Sequence, residues 1–173
     1  TVKAHGCVST KLARGTAPGD LLWTEPPAGE FTLPDELPAQ MLFVAAGSGI
    51  TPLMSMLRTL ASASEQPADV YLATVARSAE DQIFADELTS MVLDHPWLHW
   101  RAHYTSEQGR PTPAQLTAWV EDWNTTPAWL CGPADLMGDF DAYWGEHASP
   151  NLLSTEHFAP AAATALPGSE VTV

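Results

Sequence analysis

The stretch FVAAGSGITPLMSML, residues 43–57, decides how this chain is read. Phe43–Ala46 ends an apolar run that begins at Met41, continuous enough for a strand covered on both faces. Leu53, Met54, Met56, Leu57 and Leu60 then repeat at helical spacing. Between them Gly47-Ser48-Gly49 makes a strand-to-helix turn. Its glycines serve either a positive φ or a bare backbone whose N–H groups point at an anion, with the positive end of the next helix behind them. In an open parallel sheet, ligands bind beyond the carboxyl ends of the strands, which is where this turn falls. The third glycine of the usual dinucleotide fingerprint is absent and Pro52 stands near its place, so the standard fingerprint is not present.

Outward from this stretch, strand and helix patterns alternate. Val70–Val75 reads as a strand, 79–93 as a helix, and Leu98, Trp100, Ala102 and Tyr104 alternate as in a strand. Thr112-Pro113-Ala114-Gln115 carries an N-cap, a proline at the first helical position and a capping-box glutamine. Ala128–Cys131 is a short apolar strand, 135–146 a helix, and Leu152–Thr155 a last strand. Repeated βα units of this length predict an α/β fold, a doubly wound parallel five-stranded sheet with helices on both faces. Before it, Gly6, Gly15, Gly19, Pro26, Pro27 and Gly29 punctuate β-like pieces such as Leu21–Thr24 and Phe31–Leu33. They predict the end of a small antiparallel β-barrel, joined through LPDELPAQ (33–40). After Phe158, APAAATALPGS is a low-complexity linker, and EVTV reads as the start of a further strand.

The 173 residues are 45% hydrophobic and 16% charged, a globular composition. A formal charge of −14 argues against nucleic acid or an anionic membrane surface as partner. No apolar run approaches the ~20 residues of a membrane span. Cys7 and Cys131 have unrelated neighbourhoods, which favours free thiols and a reducing, cytoplasmic compartment. A start at Thr1 without a basic-then-apolar leader, in sequence that already reads as mid-domain, leads us to expect a fragment with no secretory signal.

Two further sites share the predicted sheet edge. In LCGPADLM (130–137), Cys131 ends a strand and Gly132-Pro133 turns into the next helix. The thiol there lies either against a flat ring or buried as a structural cysteine, and no base for a nucleophile is identifiable. In VARSAED (75–81), Arg77 and Ser78 occupy the end of the second strand, the place that reads an adenosine ribose: an acid favours a free 2′-OH, an arginine or serine a 2′-phosphate. An ion pair of Arg77 with Glu80 or Asp81 is the competing reading. His95, His99 and His103 recur every fourth residue, but Pro96 and the alternation around them point to a strand, so no metal site is expected. Trp119 and Trp123 stand at helical spacing, which favours packing over an exposed stacking surface.

Taken together, GSGITP, a basic residue after the next strand, CGP and a terminal TEHF (155–158) resemble the pyridine-nucleotide domain of the ferredoxin–NADP⁺ reductase superfamily, in its oxygenase-reductase and flavohaemoprotein-reductase types. VKAHGCVSTKL and PGDLLWTEPPAGEF are similar to the end of that family's flavin barrel. The resemblance implies three parts: residues 1–37 as the C-terminal part of an FAD-binding β-barrel, 38–158 as an NAD(P)-binding domain, and 159–173 as a linker and the start of a ferredoxin-like domain. It implies that Gly47, Ser48, Gly49, Thr51 and Pro52 hold the nucleotide pyrophosphate and the nicotinamide side, and that Arg77 and Ser78 meet the 2′-phosphate. Cys131, Gly132 and Pro133 would flank the nicotinamide, with Cys131 and Thr51 nearest the hydride transfer. Gly6, Val8 and Ser9 would serve the flavin pyrophosphate, and Glu156 and Phe158 the isoalloxazine.

The function so implied is an NAD(P)H-dependent flavoprotein reductase, passing hydride from NADPH (NADH the alternative) to FAD and electrons to an iron–sulfur or haem partner. The cofactors carry the redox chemistry and no side chain need act as acid or base. The family's flavin-stacking Arg-x-Tyr-Ser motif is absent, and no cluster cysteines are present, so no iron–sulfur cluster is expected within this chain. A non-catalytic nucleotide-binding α/β regulatory module is the alternative.

Overall fold

The computed structural model describes residues 7–23, 26, 28–63 and 69–157. Its centre is a five-stranded, all-parallel sheet: β1 (Gln40–Ala46), β2 (Asp69–Ala76), β3 (Leu98–Tyr104), β4 (Ala128–Gly132) and β5 (Leu153–His157), in the order β3-β2-β1-β4-β5. β1 is central because its two faces are both apolar. Met41, Phe43 and Ala45 enter one core, Leu42, Val44 and Ala46 the other, and all six are buried. Alternation of side chains along a strand is what divides one run between two cores.

The first core is closed by α2 (Ile50–Ser62) through Leu53, Met54, Leu57 and Leu60, and by α3 (Ala85–Asp94) through Leu88 and Met91. The second is closed by α5 (Pro113–Thr117) and α6 (Ala134–His147), through Leu116, Met137, Phe140 and Trp144. The doubly wound sheet expected from the sequence is therefore present. A short α4 (Thr105–Gln108) follows β3. The capping box at Thr112 forms as its residues predict: the Thr112 Oγ1 accepts from the Gln115 N–H, and Gln115 Oε1 accepts from the Thr112 N–H. Trp119 and Trp123 pack as expected, Trp119 against Tyr71 and Trp123 against Tyr143 and Trp144.

Two elements differ from the expectation. The helix expected over 79–93 begins only at Ala85. Hydrogen bonds from Asp81 N to Ser78 O and from Gln82 N to Ala79 O close turns there, and Phe84 takes a left-handed φ of 61°. Buried Gln82 sets this arrangement, because its Oε1 accepts from Thr74 Oγ1 of β2 at 2.9 Å and its Nε2 donates to Ile83 O. A satisfied buried amide of this kind outweighs helix propensity.

The β-like pieces expected before residue 40 are the other difference. Cys7–Gly15 is helical (α1), and no strand precedes Gln40 among the described residues. Lys11–Arg14 are good helix formers stopped by Gly15. Phe31, Leu33 and Leu37 then pack on the first core as an irregular strap, and the Trp129 indole N–H donates to Thr32 O at 3.0 Å. Leu21 and Trp23 are 90% and 98% exposed. Gly6, Phe158 and residues 159–173 lie outside the described residues.

Among the described residues no helix is long and apolar enough to cross a membrane. Burial predicts a sharp contrast in stability. Phe140→Ala, at a fully buried site, should cost about 3–5 kcal/mol in denaturant unfolding. Leu93→Ala, at an exposed one, should stay within about 0.5 kcal/mol.

Candidate functional site

The strand order reverses between β1 and β4, so the chain leaves these neighbouring strands in opposite directions and opens a crevice at their carboxyl ends. Two turns meet there. After β1, Gly47–Gly49 forms a single 3₁₀ turn leading into α2, and after β4, Gly132-Pro133 leads into α6. A Cβ on Gly49 would lie 2.1 Å from the Cys131 carbonyl oxygen and 2.8 Å from the Gly132 nitrogen. Gly49 is therefore glycine because the β4 backbone occupies the space of a side chain. Gly47 has another reason: it is exposed at φ +55°, with open space around its α-carbon.

The half-buried Thr51 donates its hydroxyl hydrogen to Ser48 O at 2.7 Å, which pins the turn to the first turn of α2. No side chain caps α2, and no acid stands in its first turn. Its positive end thus opens toward the crevice beside the exposed Gly47 and half-buried Ser48. The start of α6 is different. Asp135 stands in its first turn, accepts from the Leu136 N–H, and is paired with Arg110, which also bonds Asp139 at 2.8 Å.

Cys131 is wholly buried, paired in register with Ala45 on one side and Glu156 on the other. Burial, and then the Glu156 carboxylate, push its thiol up to about 12. It is a neutral, free thiol, and not a nucleophile. Glu156 and Pro52 border a cavity of about 290 Å³ whose far wall is the strap residues Ala28, Gly29, Phe31 and Thr32.

At the end of β2, Arg77 is exposed and its carbonyl accepts from Ser106 N at 2.9 Å, tying α4 to this strand end. The ion pair of Arg77 with Glu80 or Asp81 does not form; those carboxylates turn to Ser78 instead. Ser78 Oγ donates to Asp81 Oδ2 at 3.1 Å, and the same hydroxyl, shared with Glu80, is the main cause holding the Glu80 carboxyl below its usual range. Arg58 and Arg110 are tied into ion pairs and Arg101 lies over Trp119. Arg77 is the arginine left at the crevice without one among the described residues.

The sequence-predicted residues Gly47, Ser48, Gly49, Thr51, Pro52, Cys131, Gly132 and Pro133 are thus gathered at one switch point, with Arg77 and Ser78 at the end of the adjacent strand. Val8 and Ser9 lie in α1, with Val8 73% exposed. Sequence reasoning missed the role of Asp81 toward Ser78; its signal was a carboxylate three residues after a serine in a turn. The histidines are engaged separately: His99 with Asp69 at 2.6 Å, His103 with Gly109 O, and His95 against Trp97. A larger hollow of about 530 Å³ lies between Arg110–Pro113 and α6, but its arginine is already bound by two carboxylates.

Residues 43–142 match a family described as the oxidoreductase NAD-binding domain. The chain is 39% identical over 161 residues to an NADPH oxidoreductase of Mycobacterium tuberculosis, covering 92% of this chain and 42% of that protein. It is 36% identical over 143 residues to the ferredoxin reductase component of a 3-ketosteroid-9-alpha-monooxygenase of Rhodococcus rhodochrous, covering 79% and 39%. The chain thus spans about two fifths of the length of these relatives. In structure it is similar to the flavohem-like FAD/NAD binding domain of nitric oxide dioxygenase from Vibrio cholerae O1 biovar El Tor, with a TM-score of 0.73 and 25% identity over 91% of this chain and 66% of that one.

The two glycines predict different costs. Gly49→Ala should lose about 3 kcal/mol or more in denaturant unfolding, because backbone atoms must separate, whereas Gly47→Ala should lose only about 1–2 kcal/mol for its φ. Cys131 adds a pH signature. Its folded thiol titrates above the 9.0 of an ordinary thiol, so its contribution to stability is present below about 9 and is lost as pH rises toward about 12. That loss, measured against Cys131→Ala, should be confined to this window. Iodoacetamide at pH 8 should label Cys131 only on unfolding, as read by peptide mass.

Proposed function

Because this chain belongs to the oxidoreductase NAD-binding domain family, we propose that it is the nucleotide-binding part of an NADPH-dependent flavoprotein reductase. The observation that carries this reading is the meeting of the β1 and β4 turns at the switch point, with Arg77 at the next strand end. The donor set fits an anionic dinucleotide: an exposed glycine, an uncapped helix start without acids, and an arginine free of ion pairs among the described residues.

In this reading Gly47, Ser48, Gly49, Thr51 and Pro52 hold the pyrophosphate and the nicotinamide side, and Arg77 and Ser78 meet the 2′-phosphate. NADPH would supply a hydride when bound, with FAD as its acceptor. The chain's own residues orient and exclude. Gly49 lets the β1 turn lie against β4, so that Gly132 and Pro133 would flank the ring, with Cys131 buried next to them in β4. The neutral Cys131 thiol competes for neither proton nor hydride, and Thr51 keeps the turn in place through Ser48. Glu156, beside the strap cavity, borders the flavin side.

Residues 1–37 belong, in this proposal, to the C-terminal part of an FAD-binding barrel, with Val8 and Ser9 toward the flavin pyrophosphate. The exposure of Leu21, Leu22 and Trp23 supports this, since such side chains suit burial against a neighbouring domain. Electrons then pass to an iron–sulfur or haem partner, and no cluster is assigned to this chain. The free Cys131 thiol suits a reducing, cytoplasmic setting.

Calorimetric titration of the folded chain with 2′,5′-ADP and with 5′-AMP tests the reading. The phosphorylated ligand should bind more tightly, and Arg77→Ala should weaken it about tenfold or more. Equal weak binding of both ligands would replace NADPH by NADH, and no binding of either would remove the nucleotide site altogether.

A further inference from the structure

We propose that Asp81, with Glu80 beside it, sets the dinucleotide preference of this site by holding the Ser78 hydroxyl and opposing a ribose 2′-phosphate. The inference rests on the reading that the end of β2 meets the adenosine ribose, and it says what that end does once there. Arg77 is the only cation from Asp69 to Trp100, and it is followed within four residues by Glu80 and Asp81. It has no ion pair among the described residues, and the hydrogen bond from Ser106 N fixes its backbone at the strand end. One positive charge therefore faces a ligand group that carries nearly two negative ones at neutral pH.

The second donor at this position is already committed. A hydroxyl has one hydrogen to give, and two carboxylates compete for that of Ser78: Asp81, whose Oδ2 it meets at 3.1 Å, and Glu80. To bond a 2′-phosphate, Ser78 must release Asp81 and leave a bare carboxylate close to the incoming anion. Like charges so placed cost affinity. A free 2′-OH meets the opposite situation, since a carboxylate accepts its hydrogen. Arg77 and the Ser78–Asp81 pair thus pull in opposite directions, and the site takes both forms of the cofactor with a narrowed preference for the phosphorylated one. Replacing either carboxylate widens that preference.

The test titrates 2′,5′-ADP and 5′-AMP into the folded wild-type chain, Asp81→Asn and Glu80→Gln, with folding checked by circular dichroism. Asp81→Asn keeps a carbonyl acceptor for Ser78, so the turn holds while the charge is removed. Glu80→Gln, at an exposed position, is a second arm that leaves both partners of the Ser78–Asp81 bond in place. The ratio of 2′,5′-ADP affinity to 5′-AMP affinity should rise about two- to fivefold for each variant, in line with one exposed charge interaction. An unchanged or lowered ratio in variants that still bind both ligands overturns the role of the carboxylates and leaves the nucleotide site standing. Failure of the wild-type chain to bind either ligand overturns the nucleotide site, and this proposal with it.

Discussion

The approach of the Gly49 α-carbon to the Cys131–Gly132 peptide is the contact on which the rest depends. Two parallel strands joined through long excursions place their carboxyl ends side by side, but side chains normally keep the following turns apart. Here the absence of one Cβ lets the β1 turn lie directly on the β4 backbone. The crevice is then floored by main chain, and the start of α2 faces it without a competing carboxylate. β1 can sit at the centre because both of its faces are buried against helices, so the sheet holds the two turns in fixed register.

Charge is distributed to the same end. In a chain of net charge −14, cations are scarce, and most of the arginines around the sheet are engaged elsewhere. Arg58 joins α2 to α3 through Glu87, Arg110 ties the loop before α5 to the start of α6, and Arg101 lies over Trp119. Such exposed pairs contribute little stability individually. Their consequence here is that Arg77 stands apart, at the strand end beside the crevice, where an anion would find it without an ion pair among the described residues. The carboxylates that could have neutralised it are turned to Ser78 instead.

Much of the sheet was legible because its signals are strong and local. The unbroken apolar run at Met41–Ala46, the period-two pattern at Leu98–Tyr104 and the capping box at Thr112 each correspond to a formed element. The glycines were legible as a site and not in their causes: sequence cannot show that Gly49 answers to a strand 80 residues away, whereas Gly47 answers to its own φ. The late start of α3 was hidden because it depends on buried Gln82 reaching Thr74, a tertiary bond that no periodicity reports. The helix Cys7–Gly15 was hidden by Val8, Ser9 and Thr10, residues of poor helix propensity that read as β. In sequence the strap reads as a β-like piece at Phe31–Leu33 running into a linker over 33–40, with no period that joins Phe31, Leu33 and Leu37. Only the fold shows that they close the first core and that Trp129 holds Thr32.

Amide chemical-shift mapping of the ¹⁵N-labelled chain on addition of NADPH addresses the central claim most directly, because it reports position and not only affinity. The perturbed amides should gather at residues 47–51, 77–78 and 131–132, on one edge of the sheet. Perturbations centred instead on the hollow between Arg110 and α6, or scattered without a centre, would contradict it.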